Sequence, residues 1–172
     1  LYDVLMGKET ADSGYYKWGK TITPTYLPVD NDEYFVGCDL SLVDWLSRYS
    51  YDHYEEFVRG WLARMLFSGE ESQKKASVIS GGEKVRCMLA KMMLEGGNFM
   101  ILDEPTNHLD LESITALNDG LVAFKGCLLM TSHDRELMNT VCNRIIEIDG
   151  GKKVYDRPVD YDTYLEETMN KQ

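Results

Sequence analysis

Basic residues are in short supply. Lys and Arg number 18 against 29 Asp and Glu, a formal net charge of −11 over 172 residues. A surface of that sign repels phosphate backbones at long range, which argues against a protein that coats nucleic acid or reads its sequence directly. Long apolar runs are missing as well. No stretch approaches the ~20 residues that span a bilayer, so no membrane insertion is expected. Residues 1–14 have neither the basic flank nor the apolar core of a signal peptide. Cysteine occurs at Cys38, Cys87, Cys127 and Cys142, with no Cys-x-x-Cys pair and no His at zinc-finger distance. Neither a disulfide framework nor structural zinc is expected, and the thiols read as reduced intracellular ones. What is present is ordinary globular material: 44% hydrophobic and 11% aromatic residues, enough to build one core.

Leu1–Met6 reads as the end of an amphipathic helix and Glu9–Gly14 as a polar turn. Tyr15–Trp18 and Thr21–Leu27 are rich in aromatic and β-branched residues, which predicts two strands joined near Gly19. Pro24 and Pro28 put the second of them near a sheet edge. Residues 37–67 turn helical, with Ser41 as an N-cap and an apolar face formed by Phe57, Trp61, Leu62, Met65 and Leu66. Ser68–Lys75 is a polar connection, and a helix is predicted over Gly82–Leu94. An α/β alternation follows: apolar runs at 99–102, 127–130 and 144–148 are separated by helices, the first over Glu112–Phe124. Such runs imply a parallel sheet covered on both faces. Tyr161–Gln172 reads as a final helix.

Chemistry concentrates at the ends of the apolar runs. Phe99–Leu102 ends in Asp103 and Glu104. In open parallel sheets ligands bind beyond the carboxyl ends of the strands. Two adjacent acids there repel each other unless a cation joins them, and Mg²⁺ is the natural occupant. Taken alone, the pair reads equally as solvated acids. Ser80-Gly81-Gly82-Glu83 opens a helix, where free N–H groups and the dipole favour an anion. Taken alone, it is also an ordinary helix entry. His133 follows the second run and falls on the same sheet edge, although a lone His is more often structural, as His53 and His108 illustrate.

In this order, Ser80–Glu83, then Ile101-Leu-Asp103-Glu104-Pro-Thr-Asn107-His108-Leu-Asp110, then Ser132-His133-Asp134-Arg135, the sequence resembles the nucleotide-binding domain of ATP-binding cassette (ABC) proteins. The wording from Glu104 to Asp110 resembles the ABC-F branch, whose members carry two ATPase domains and no membrane domain. The resemblance implies an α/β, P-loop NTPase-like fold with a partial, mostly parallel sheet and a helical subdomain. It divides the chain into a remnant of the ATP-binding core and β subdomain (1–36), a helical subdomain (37–79), and the signature helix, Walker B, H-switch and C-terminal helix (80–172). It implies ATP and Mg²⁺ as ligands. Ser80, Gly81, Gly82 and Glu83 would be the signature loop and Asp103 the Walker B acid on the metal. Glu104 would be the catalytic carboxylate, Asn107–Asp110 the D-loop and His133 the switch histidine. The partners implied are a second ABC domain of the same protein and the ribosome. The alternative is the ATP-binding subunit of an ABC membrane transporter.

Two departures stand out. Val29 occupies the place of the family's Q-loop glutamine and cannot ligate Mg²⁺ or water. The pattern Gly-x-x-x-x-Gly-Lys-Thr occurs at Gly14–Thr21, but polar residues precede it, its variable positions are Tyr, Tyr, Lys and Trp, and strand-like residues follow. A phosphate loop must leave a buried strand and start a helix at its Lys. The match is therefore rejected, and the true Walker A is expected upstream of Leu1, which makes the chain a fragment expected to be inactive alone.

Overall fold

The computed structural model describes residues 1–51, 54–107, 109–150 and 153–169; His53 and His108 lie outside the described residues. Three short parallel strands form the centre. β1 (Pro24–Leu27) pairs with β2 (Phe99–Asp103), and β2 pairs with β3 (Cys127–Thr131). Leu27 lies opposite Leu102, and Asp103 opposite Thr131, so the strands end almost level. The middle strand is the most apolar, and Met100, Ile101 and Leu102 are wholly buried.

The helices are α1 (Tyr2–Leu5), α2 (Leu42–Ser47), α3 (Glu55–Arg64), α4 (Gly81–Leu94), α5 (Leu111–Ala123), α6 (Arg135–Val141) and α7 (Tyr161–Met169). Ser41 caps α2 as predicted, its hydroxyl accepting from the Asp44 N–H. α4 packs on β1 and also contacts α2, α3 and α5. One core cluster joins Leu42, Trp45, Leu46, Val58, Leu62, Met88, Leu89 and Leu102. Burial of that many large side chains, at ~1.5–3 kcal/mol each, holds the helical segment onto the sheet.

Four expectations are corrected. Tyr15–Trp18 is irregular backbone, not a strand. Trp18 sets its ring edge-on against Phe99 with centroids 5.0 Å apart and donates its indole N–H to the Leu5 carbonyl at 3.2 Å, so the segment is held by side chains. The second strand begins only at Pro24, because Thr23 gives its N–H to the Asn98 side chain at 2.8 Å. The third apolar run is not in the parallel sheet. It forms β4 (Ile145–Asp149), which pairs antiparallel with β5 (Lys153–Arg157), a strand that sequence reading missed. Nor is the sheet covered throughout: Cys127 and Thr131 of β3 are exposed. The four cysteines are free, and burial pushes the Cys87 thiol up. Among the described residues no helix is long and apolar enough to cross a membrane.

Candidate functional site

The level ends of β1, β2 and β3 bring three loops to one edge of the sheet, where the sequence predicted a ligand site. Asp103 is the last residue of β2. Its Oδ1 accepts a 2.7 Å hydrogen bond from the Thr131 hydroxyl, which faces it across the β2–β3 register. Burial pushes the Tyr2 hydroxyl up to about 12, partly offset by its side-chain interaction with Thr131, so Tyr2 stays a neutral neighbour of this pair.

Glu104 follows immediately and is strained. Its φ is +49°, in the left-handed region that non-glycine residues avoid. Its N–H donates to the Thr131 carbonyl at 3.0 Å, which anchors the turn to β3. Its Oε1 lies 3.4 Å from His133 Nε2. Its Oε2 is buried and has no hydrogen-bond partner among the described residues. His133 is 94% exposed, so its other face is free for a ligand.

The α4 entry is built differently. Ser80 is the N-cap, and its hydroxyl accepts the Glu83 N–H at 3.3 Å. The Glu83 carboxylate accepts the Ser80 N–H at 2.8 Å, which closes a capping box. The Lys74 ammonium takes the other Glu83 oxygen at 2.8 Å. Partial burial raises the Glu83 carboxyl, but Lys74 and Ser80 outweigh it and the net shift is downward. Gly81 lines the same ≈270 Å³ cleft as Asp103 and Glu104, whereas Ser80, Gly82 and Glu83 do not line it. Asp110 does not line that cleft. It caps α5 through the Ser113 N–H at 2.8 Å, which holds its carboxyl below the usual range.

The donor set fits a hydrated divalent cation. Among the described residues no three His, Cys, Asp or Glu side chains gather into a metal cage. Mg²⁺ keeps most of its shell as water and phosphate oxygens and needs only one or two protein carboxylates. Asp103, oriented by Thr131, would supply one, and the Glu104 Oε2 beside it would be free to accept from a water of such a shell. Gly14–Thr21 lacks the geometry of a phosphate loop: Lys20 and Thr21 form a turn that leads into β1, with no strand before and no helix after. Val29 lines the cleft and is 59% exposed, as apolar there as its sequence position implied.

Sequence reading missed three residues of this edge. Thr131 is identifiable only from the β2–β3 register. Lys84 and Asn31 enter through folding: Lys84 pairs with Asp32 at 2.6 Å and fixes the loop after β1 against α4.

Comparison with known proteins identifies the family and the fold. The chain is 60% identical over 167 residues to the "Uncharacterized ABC transporter ATP-binding protein YkpA" of Bacillus subtilis (strain 168), covering 96% of this chain and 31% of that protein. It is 35% identical over 156 residues to the "Energy-dependent translational throttle protein EttA" of Mycobacterium tuberculosis (strain ATCC 25618 / H37Rv), covering 87% of this chain and 27% of that protein. The chain thus spans about a third of the length of the curated relatives it matches. In fold it is similar to a solved structure titled as a complex of the archaeal ribosomal stalk protein aP1 and the archaeal ribosome recycling factor aABCE1. The TM-score is 0.77 at 21% identity, over 99% of this chain and 34% of that one. The ABC transporter family profile matches residues 3–107. That match covers more than half of the chain and takes in the strand that delivers Asp103 to the cleft, so the chain belongs to the ABC transporter family.

Proposed function

We propose that this chain is part of an ABC-F-type ATPase, cytoplasmic, that couples ATP binding and hydrolysis to work on the ribosome. The observation that carries the reading is the buried, unpaired Glu104 Oε2, with His133 3.4 Å from the other oxygen and Asp103 alongside. A buried carboxylate oxygen without a partner is costly in a fold alone and is explained by a water or ligand it receives.

The roles are those the family resemblance implies, and the placement of the residues supports them. Asp103 would hold Mg²⁺ through water, and Mg²⁺ supplies neutralisation of phosphate charge. Glu104 orients the attacking water and accepts its proton. His133, exposed beside Glu104, contacts the terminal phosphate. Ser80, Gly81 and Gly82 offer a helix N-terminus to the ATP held by a second ABC domain of the same protein, with Glu83 closing the cap. Asp110 supports the adjoining D-loop by capping α5. In this reading residues 37–79 are the helical subdomain that relays closure, between core segments 1–36 and 80–172.

The ABC-F assignment is supported by the Glu104–Asp110 wording, and the ribosomal task by 35% identity to a protein whose name places it in translation. Single-turnover hydrolysis with nucleotide retention tests the catalytic part. Glu104→Gln in the full-length protein should retain Mg·ATP while hydrolysis falls by a factor on the order of 10²–10⁴. Wild-type turnover would end the assignment. Sedimentation of the tagged protein through sucrose with ATP tests the partner. Co-migration with ribosomes is expected, and recovery only with membranes would overturn it.

A further inference from the structure

We propose that Asn31 is the second positioning group for the attacking water, standing where Val29 offers none. This inference rests on the ATPase reading above.

Asn31 is 6% exposed, and its Oδ1 is buried with no partner among the described residues. It lines the same ≈270 Å³ cleft as Glu104, whose Oε2 is also buried and unpaired. Asn31 sits at the N-cap of the 3-10 turn Asp32–Tyr34, yet its side chain makes no capping hydrogen bond. Capping is the usual structural work of an asparagine at such a position. Here the turn is held by other means: the Asn31 carbonyl accepts the Tyr34 N–H at 3.1 Å, Asp30 Oδ1 accepts the Asp32 N–H at 2.9 Å, and Asp32 pairs with Lys84. The side chain is thus immobilised by burial on an anchored loop, with its oxygen unused.

Two unpaired acceptors on one polar cleft call for a donor of two protons, and water is the smallest. A water that donates one O–H to Asn31 and the other to Glu104 directs its lone pairs away from both, which leaves them available to attack a terminal phosphate brought to the Asp103–Glu104 edge. As the new O–P bond forms, the proton on the Glu104 side passes to that carboxylate. The bridging P–O bond breaks, and its electron pair leaves on the diphosphate. Asn31 takes no proton. It fixes the angle of attack, a contribution to orientation and not to acid–base chemistry.

The test is a double-mutant cycle in the full-length protein with Mg·ATP. Asn31→Leu keeps the shape and removes the acceptor. It should lower kcat by about 10²-fold with KM for ATP and nucleotide binding unchanged, the loss typical of a misplaced reactant. Asn31→Asp restores an oxygen and should recover at least about tenfold of that loss. In the Glu104→Gln background the same Asn31→Leu change should cost less than about threefold, because both groups act on one water. If Asn31→Leu fails to fold, Asn31→Ala replaces it in the cycle. Wild-type kcat in the single variant, or an equal loss in both backgrounds, overturns the proposal. Full turnover by Glu104→Gln itself would instead overturn the ATPase reading. A defective Glu104→Gln beside an intact Asn31→Leu removes only the role of Asn31.

Discussion

The two polar motifs that meet at the cleft treat their hydrogen bonds in opposite ways. At the start of α4, Ser80 and Glu83 satisfy each other, and Lys74 takes up the remaining carboxylate oxygen. At the end of β2, Glu104 is held in left-handed backbone and keeps a buried oxygen unpaired. The first arrangement stabilises a helix by about 1 kcal/mol. The second opposes folding: an unpaired buried group costs about 1–3 kcal/mol, and left-handed backbone about 1–2 kcal/mol more. Strain of that kind persists where surrounding structure imposes it, and it collects at functional sites. The contrast separates a motif that closes on itself from one that leaves a buried acceptor unpaired.

Substituting the strained residue breaks the contrast most sharply. Glu104→Gly removes the acceptor and fits φ +49° without strain. Turnover should fall by a factor on the order of 10²–10⁴, while thermal unfolding shows stability unchanged or raised by up to about 1 kcal/mol. A large loss of stability together with activity would mean that Glu104 supports the fold. On the closed side, Ser80→Ala should destabilise the 172-residue chain by about 1 kcal/mol in urea titration, whereas Ser80→Gly should cost only a few tenths. Equal effects of the two would show that the cap contributes nothing.

A smaller effect sharpens the same comparison through pH. The Glu83 carboxyl lies below its ordinary value when folded, so the unfolded chain binds its proton first as pH falls. Its stabilisation is complete above the unfolded value of 4.5 and is lost as pH drops through the folded value. Acid titration of stability should therefore be shallower for Glu83→Gln below about pH 4.5. An unchanged acid slope would remove Glu83 from the linkage. The smallest expected effect is none at all. Calorimetry of the 172-residue chain with Mg·ATP should give no micromolar binding, and Lys20→Ala should change nothing, because Gly14–Thr21 is irregular backbone ending in a turn toward β1 and not a strand–loop–helix. Tight binding abolished by Lys20→Ala would restore that motif as a phosphate loop.

The parts of this molecule legible in the sequence are those whose signals are local. Ser41 announces its helix by capping chemistry, Ser80-Gly81-Gly82 marks a helix entry, and the run Phe99–Leu102 announces a buried strand ending in acids. What escaped depends on distant partners. Tyr15–Trp18 has the composition of a strand, yet its aromatics are used as side-chain anchors, Trp18 on Phe99. β5 is charged and alternating, and it becomes a strand by pairing with β4 and through the Arg144–Asp156 ion pair. Asp103, Glu104 and His133 were identifiable as an ordered set of motifs. Thr131 and Asn31 were not, since one is defined by strand register and the other by a bond it does not make.

The level register of β1, β2 and β3 also governs how lineages of this chain can change length. Side chains alternate across a strand, so losing one residue within β2 would turn Asp103 to the opposite face and carry Glu104 out of step with Thr131. Such a deletion removes the site even if the core repacks. An insertion among the exposed residues 7–13 leaves the pairing of Leu27 with Leu102 untouched. Length variation among descendants should therefore gather in the polar stretch before β1 and be absent from residues 99–104, a pattern readable from gene sequences without any assay.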